Sequence, residues 1–216
     1  MNNSPQRRTR IKFCGIMRAE DAAAAIALGV DALGLILVPE SPRHVSLAAA
    51  LAVRVKLPPF VAAVVLLRNP DEATVRETLR VLKPDLLQFH GEETAAFCAS
   101  FGWPYLKAVA MQDQPRSLAE IAAEYASAAA LLLDGHAVGG QGGLGRAFDW
   151  QRASEKVGVP LMLAGGLRPD NVAAAIRAAR PYAVDVSSGI EAAPGIKDSG
   201  KMRAFVREVQ RADHES

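Results

Sequence analysis

The chain is poor in the residues that build cross-linked or metal-centred proteins. It has two cysteines, Cys14 and Cys98, and four histidines. Neither cysteine stands in a paired spacing such as C-x-x-C, so a disulfide framework and a structural zinc site are both excluded and a reducing compartment is expected. Long apolar runs are also missing. The longest, FVAAVVLL at Phe60 to Leu67, falls far short of the roughly 20 residues that cross a bilayer. The polar and basic N-terminus, Met1 to Arg10, lacks the apolar stretch of a signal peptide. No membrane association and a cytoplasmic location are expected. The net charge of +2 comes from scattered basic residues, without the clustered footprint of a nucleic-acid binder. A small anionic ligand needs only a local site.

What is present is a hydrophobic half in 216 residues with no linker, which suits one domain with a full core. Residues 1–10 read as a flexible extension and 11–216 as the domain. Short runs rich in Val, Ile and Leu alternate with Ala-rich segments carrying charges at helical spacing, the pattern of parallel strands joined by crossover helices. The strands are expected at 11–16, 32–37, 61–67, 86–90, 105–111, 129–134, 160–166 and 183–188, with helices beginning near Ala19, Leu47, Asp71, Glu92, Arg116, Asp149, Pro169 and Asp198. Residues 11–28 echo 161–178: Gly15 aligns with Gly165, Arg18 with Arg168, and Ala23 to Ile26 with Ala173 to Ile176. Eight alternations in so short a chain predict an α/β fold, a single (β/α)8 TIM barrel, with an open doubly wound sheet as the alternative.

In a barrel, chemistry sits where strands end. The first strand ends at Cys14 and the sixth at Asp134, each followed by glycine. If their faces point inward, a thiol and a carboxyl look into the mouth from opposite sides. The plain alternatives are a small buried hydrophobe for the cysteine and a turn or cap for the aspartate. The seventh and eighth units end in AGGL and VSSG. Their glycines allow close approach of backbone N–H groups, so Gly165, Gly166, Ser187, Ser188 and Gly189 make a phosphate cradle where barrel enzymes frequently hold one.

Other strand ends supply binding groups. In PESPRHVS, Pro39 to Ser46, two prolines stiffen a loop that carries Arg43, suited to a bidentate grip on a carboxylate. Gln88 and His90 share a face of the fourth strand, and His90 can hydrogen-bond a ligand. Lys12, Lys107 and Asp185 are assigned inward. The lysines are read as structural, and Asp185 either pairs with one of them or contacts the ligand. The remaining histidines show no ligand spacing, so no metal is expected. The glycine-rich stretch from Gly135 to Trp150 is neither a P-loop nor a dinucleotide fingerprint and is expected to act as a mobile lid.

IKFCGI, SPRHVS, LLQFHGEE, LLLDG, the GGQG to FDW loop, AGGLRPDNV and AVDVSSGIE, in this order from Ile11 to about Val206, resemble the phosphoribosylanthranilate isomerases of tryptophan biosynthesis. The resemblance implies a barrel without cofactor or metal, a small-molecule substrate, and a monomer or homodimer. It also implies an Amadori rearrangement of N-(5-phosphoribosyl)anthranilate. In it Asp134 protonates the ribose ring oxygen, Cys14 removes the proton on the second sugar carbon, and Arg43 grips the anthranilate carboxylate. His90 and Asp185 are the further substrate-binding candidates, and the Gly165 and Ser187 loops take the phosphate. Cys14 should be ionised by its surroundings for this role. Two departures stand out: GLIL in the second strand where aromatics are common, and Gly143 to Arg146 as extra residues in the glycine loop. The histidine-pathway aminoaldose isomerase resembles this pattern less, because it carries an aspartate where Cys14 stands. A non-catalytic sugar-phosphate sensor would not need both the acid and the base.

Overall fold

The computed structural model describes residues 8–137, 150–155 and 157–215. Eight parallel strands close into a barrel in chain order: β1 Arg10–Cys14, β2 Ala32–Ile36, β3 Ala62–Leu67, β4 Leu86–Phe89, β5 Tyr105–Gln112, β6 Ala130–Ala137, β7 Leu161–Leu163 and β8 Ala183–Val186. The helices between them are α1 Ala19–Ala27, α2 Leu47–Arg54, α3 Glu72–Leu82, α4 Ala95–Ala99, α5 Leu118–Glu124 and α6 Val172–Ala179, and α7 Ser199–His214 closes the chain. The strands read as near-continuous apolar runs because both their faces are covered, one by the barrel interior and one by the helices. Val64, Leu106, Ala108, Leu132 and Met162 fill the interior. The larger cluster, with Phe13, Leu33, Leu87, Phe89, Leu131 and Phe205, lies between strands and helices.

Local chemistry sets the helix starts. Ser46, Asp71, Thr94, Ser117 and Asp198 each accept a backbone N–H of the first turn through the side chain, satisfying donors the helix cannot pair internally. Ser117 and Glu120 form a full capping box.

Several boundaries differ from the sequence expectation. β7 stops at Leu163 and β8 at Val186, so Gly165, Gly166 and residues 187–189 lie beyond the strands. The segment expected as a helix near Asp149 is a 3-10 turn at Trp150–Ser154. After β8 the chain makes another 3-10 turn, Ser188–Ile190, and a two-stranded hairpin of β9 Glu191–Ala193 and β10 Ile196–Lys197 before α7 begins. Regular structure starts at Arg10, and Thr9 is already anchored: its N–H and hydroxyl both bond the Asp213 carboxylate. Residues 1–7 of the expected extension lie outside the described residues. So do residues 138–149, on which the lid expectation falls. Among the described residues, no helix is long and apolar enough to cross a membrane.

Lys107 corrects the inward assignment. Its neighbours Leu106 and Ala108 fill the interior, and its register partners Phe89 and Leu131 pack outward. Lys107 therefore points to the helix layer, where it pairs with Glu93 at 2.8 Å and lies over the Tyr125 ring.

Candidate active site

At the C-terminal mouth one pocket is lined by Cys14, Arg43, Arg68, Gln88, His90, Asp134, Asp185 and Ser187, with Ile36, Val38 and Leu66 as apolar wall. Seven residues singled out in the sequence thus meet in one place. Strand alternation explains the convergence: Lys12 and Cys14 on β1, Gln88 on β4, Asp134 on β6 and Asp185 on β8 all occupy inward positions. Strands β1 and β6 are three apart around the ring, so Cys14 and Asp134 face one another across the mouth.

Cys14 sits in a small apolar cluster with Ile36, Val38 and Leu66. Its neighbour across the strand pair is Gly34, where a Cβ would lie 2.7 Å from the sulfur. The missing side chain is what makes room for the thiol. Beneath it, Lys12 Nζ bonds Asp185 Oδ1 at 2.9 Å, and both are buried. Asp185 thus answers the open question of its partner, and it also lines the pocket. Burial pushes the Cys14 thiol above its ordinary value, and the nearby Lys12 and Lys197 ammonium groups offset this only in part. The expected ionised thiol is therefore opposed by the site's own dryness. For Lys12, burial alone would lower the value, but Asp185 and Cys14 outweigh it and hold the ammonium above its usual range.

Opposite, His90 Nε2 lies 3.4 Å from Asp134 Oδ2, and Gln88 Nε2 lies 2.9 Å from His90 Nδ1. The amide orients the imidazole so that its other nitrogen faces the acid. Gly165 packs against the same acid. With φ +74° it holds a backbone that L side chains avoid, and a Cβ would come within 2.3 Å of Gly135 N and 3.0 Å of Asp134 Oδ1.

Arg43 is buried, where the sequence suggested a presented loop residue. The short bridge of Ile36 to His44 pins its loop to β2, and the Glu191 carboxylate takes the guanidinium in bidentate fashion at 2.7 and 2.8 Å. Gly15, φ +71°, lets the chain pass close to Arg43 and Ser187: a Cβ there would lie 2.6 Å from Arg43 Cδ and 3.1 Å from Ser187 Oγ. Of the expected phosphate cradle, Ser187 lines this pocket, while Gly165, Gly166, Ser188 and Gly189 are not part of its lining. Asn171 Nδ2 ties down the Gly166 carbonyl at 2.9 Å. Gly189 backs onto Leu167 so closely that a Cβ would lie 1.9 Å from that carbonyl oxygen.

Sequence reasoning missed Glu191, Lys197, Arg68 and Glu93. Arg68 had a signal, as the first residue after the apolar run of β3. The other three are buried charges, which pattern reading assigns to solvent by default. Among the described residues, no group of three or more His, Cys, Asp or Glu is placed to hold a metal ion.

The profile of the N-(5'phosphoribosyl)anthranilate (PRA) isomerase family matches residues 11–208. An N-(5'-phosphoribosyl)anthranilate isomerase of Stenotrophomonas maltophilia is 54% identical over 207 residues, covering 95% of each chain. The crystal structure of the phosphoribosyl anthranilate isomerase of Thermus thermophilus superposes with a TM-score of 0.84 at 36% identity, over 94% of this chain and 99% of that one. A second solved isomerase, in complex with reduced 1-(o-carboxyphenylamino)-1-deoxyribulose 5-phosphate, gives 0.81 at 33% identity, with 94% and 99% covered. With this match on a barrel whose first and sixth strands bring a thiol and a carboxyl to one mouth, the chain belongs to the phosphoribosylanthranilate isomerase family.

Proposed function

We propose that this pocket carries out the Amadori rearrangement of N-(5-phosphoribosyl)anthranilate to 1-(2-carboxyphenylamino)-1-deoxyribulose 5-phosphate, with Asp134 as general acid and Cys14 as general base. The observation that carries this reading is the placement of the two groups at opposite sides of one mouth. A sugar lying between them meets an acid at its ring oxygen and a base at its second carbon.

Asp134 gives its proton to the ring oxygen as the bond from that oxygen to the first carbon breaks, and the anilino nitrogen's lone pair closes a Schiff base. Cys14, as thiolate, takes the proton from the second carbon, and the electron pair left behind moves toward the iminium to give an enolamine. Ketonisation returns a proton to the first carbon and removes the one on the second oxygen. Atoms and electrons balance within the substrate, so acid and base suffice.

Binding falls to the remaining residues. Arg43 takes the aryl carboxylate, Ile36, Val38 and Leu66 cover the ring, and the Ser187 loop takes the phosphate, backed by Ser188, Gly189, Gly165 and Gly166. His90 and Asp185 contact the sugar. The apolar wall replaces the aromatic one expected of the second strand. The site is built from one chain, which suits a monomer or a homodimer alike. Both cysteines are free and buried, which supports a reducing, cytoplasmic setting. The test is the loss of anthranilate-type fluorescence when the protein meets freshly generated substrate. A folded protein without turnover would contradict this reading and direct attention to the histidine-pathway aminoaldose.

A further inference from the structure

Arg43 is held by a carboxylate that no motif announced. Glu191, the first residue of β9, accepts from Arg43 Nε through Oε1 at 2.7 Å and from Nη2 through Oε2 at 2.8 Å. Its Oε1 also accepts from Lys197 Nζ at 2.8 Å. Lys197 is the register partner of Glu191 on β10, and the same ammonium reaches the Ser187 carbonyl at 3.1 Å. A single carboxylate therefore fixes the loop arginine and, through one lysine, the loop after β8. All three side chains are buried. The pair uses the Nε/Nη2 edge of the guanidinium. That leaves the Nη1 hydrogens outside the pair, on a residue that lines the pocket. Gly15 leaves the space that the arginine stem fills, since a Cβ there would lie 2.6 Å from its Cδ.

We propose that Glu191 is a positioning residue for the rearrangement: it aims the outer edge of Arg43 at the substrate's aryl carboxylate and, through Lys197, ties that aim to the Ser187 loop that takes the phosphate. The proposal rests on the reading of Arg43 and Ser187 as substrate ligands. Its logic is distance-keeping. The substrate's two anionic ends are joined by one sugar, so the groups that receive them must be held in register, and a shared carboxylate does this without touching substrate. Burial alone would push Glu191 up, but the hydrogen bonds from Arg43 and Lys197 outweigh it and hold its carboxyl below the usual range. The anchor is thus a carboxylate at neutral pH.

The experiment compares kcat, KM and competitive inhibition by inorganic phosphate for wild type, Glu191→Gln, Glu191→Asp, Arg43→Ala and the Glu191→Gln/Arg43→Ala double variant, each checked for folding by thermal melting. Glu191→Gln should raise KM about ten-fold or more while kcat changes far less, since a charge-assisted bidentate grip is loosened but the acid and base stay. Phosphate inhibition should weaken in the same variant. Glu191→Asp should fall between, and Glu191→Gln should raise KM by a smaller factor in the Arg43→Ala background than in wild type, because only its arm through Lys197 to the Ser187 loop then remains. A lower melting temperature with wild-type KM in Glu191→Gln would overturn the proposal, as would a full additional effect in the double variant. If Glu191→Gln does not fold, wild-type KM in a folded Glu191→Asp overturns it instead. Wild-type KM in Arg43→Ala would remove the ligand reading of Arg43 and this proposal together. A raised KM there with a silent Glu191→Gln would remove Glu191 alone.

Discussion

Lys12 Nζ stands 2.9 Å from Asp185 Oδ1 on the inner face of the barrel, one inward position below Cys14. The two charges come from register neighbours on β1 and β8, and little of either meets water: their side chains are 2% and 8% exposed. The pair is therefore both a foundation of the barrel and the nearest source of charge to the thiol.

Removing one member should be costly. Lys12→Met leaves Asp185 buried without its partner, a change that typically destabilises by about 3–5 kcal/mol. Replacing both, Lys12→Met with Asp185→Leu, should recover most of this loss. Urea unfolding of the two variants measures it, and equal loss in both would show that the pair's charge balance is not what matters.

The thiol sets the pH dependence. Burial raises the Cys14 value, and only the thiolate accepts a proton. A raised value means the thiol form dominates at neutral pH and the active form grows as pH rises. The kcat/KM profile, which reports the free enzyme, should climb from neutral into alkaline pH, and alkylation of Cys14 by iodoacetamide should follow the same limb. Lys12→Met should push that limb further up. A rate already flat near neutral pH in both measurements would contradict the assignment.

Gly165 joins fold to chemistry. Alanine there must fit a φ of +74° with its Cβ 2.3 Å from Gly135 N and 3.0 Å from Asp134 Oδ1. The strained φ costs about 1 kcal/mol, and the contact displaces the acid. Gly165→Ala should melt somewhat lower and lose about ten-fold or more in kcat, since small misplacement of a catalytic group is expensive. Unchanged kcat would separate the loop from the acid.

The barrel was legible because eight apolar runs alternate with helical spacing, and because strand ends pointed to Cys14, Asp134, Arg43, His90 and Ser187. Lys107 shows where this fails. In β5, Tyr105, Lys107 and Val109 alternate with Leu106, Ala108 and Ala110, and both sets are compatible with burial, so parity alone does not say which face is inside. Glu191 and Lys197 failed for another reason. They lie in a hairpin inserted between β8 and α7, and a charged residue in a short polar segment reads as solvated until its partners are seen. The Cys14 environment was half legible: ionisation by the surroundings was expected, while the depth of burial that opposes it is a property of packing.

The most direct measurement is the rate of fluorescence loss with freshly generated N-(5-phosphoribosyl)anthranilate for wild type beside Cys14→Ala and Asp134→Ala. The account predicts turnover by wild type and near-silence, a loss of about a hundred-fold or more, in each folded variant. Near-normal turnover in either variant would remove that residue from the mechanism and contradict the acid–base pair.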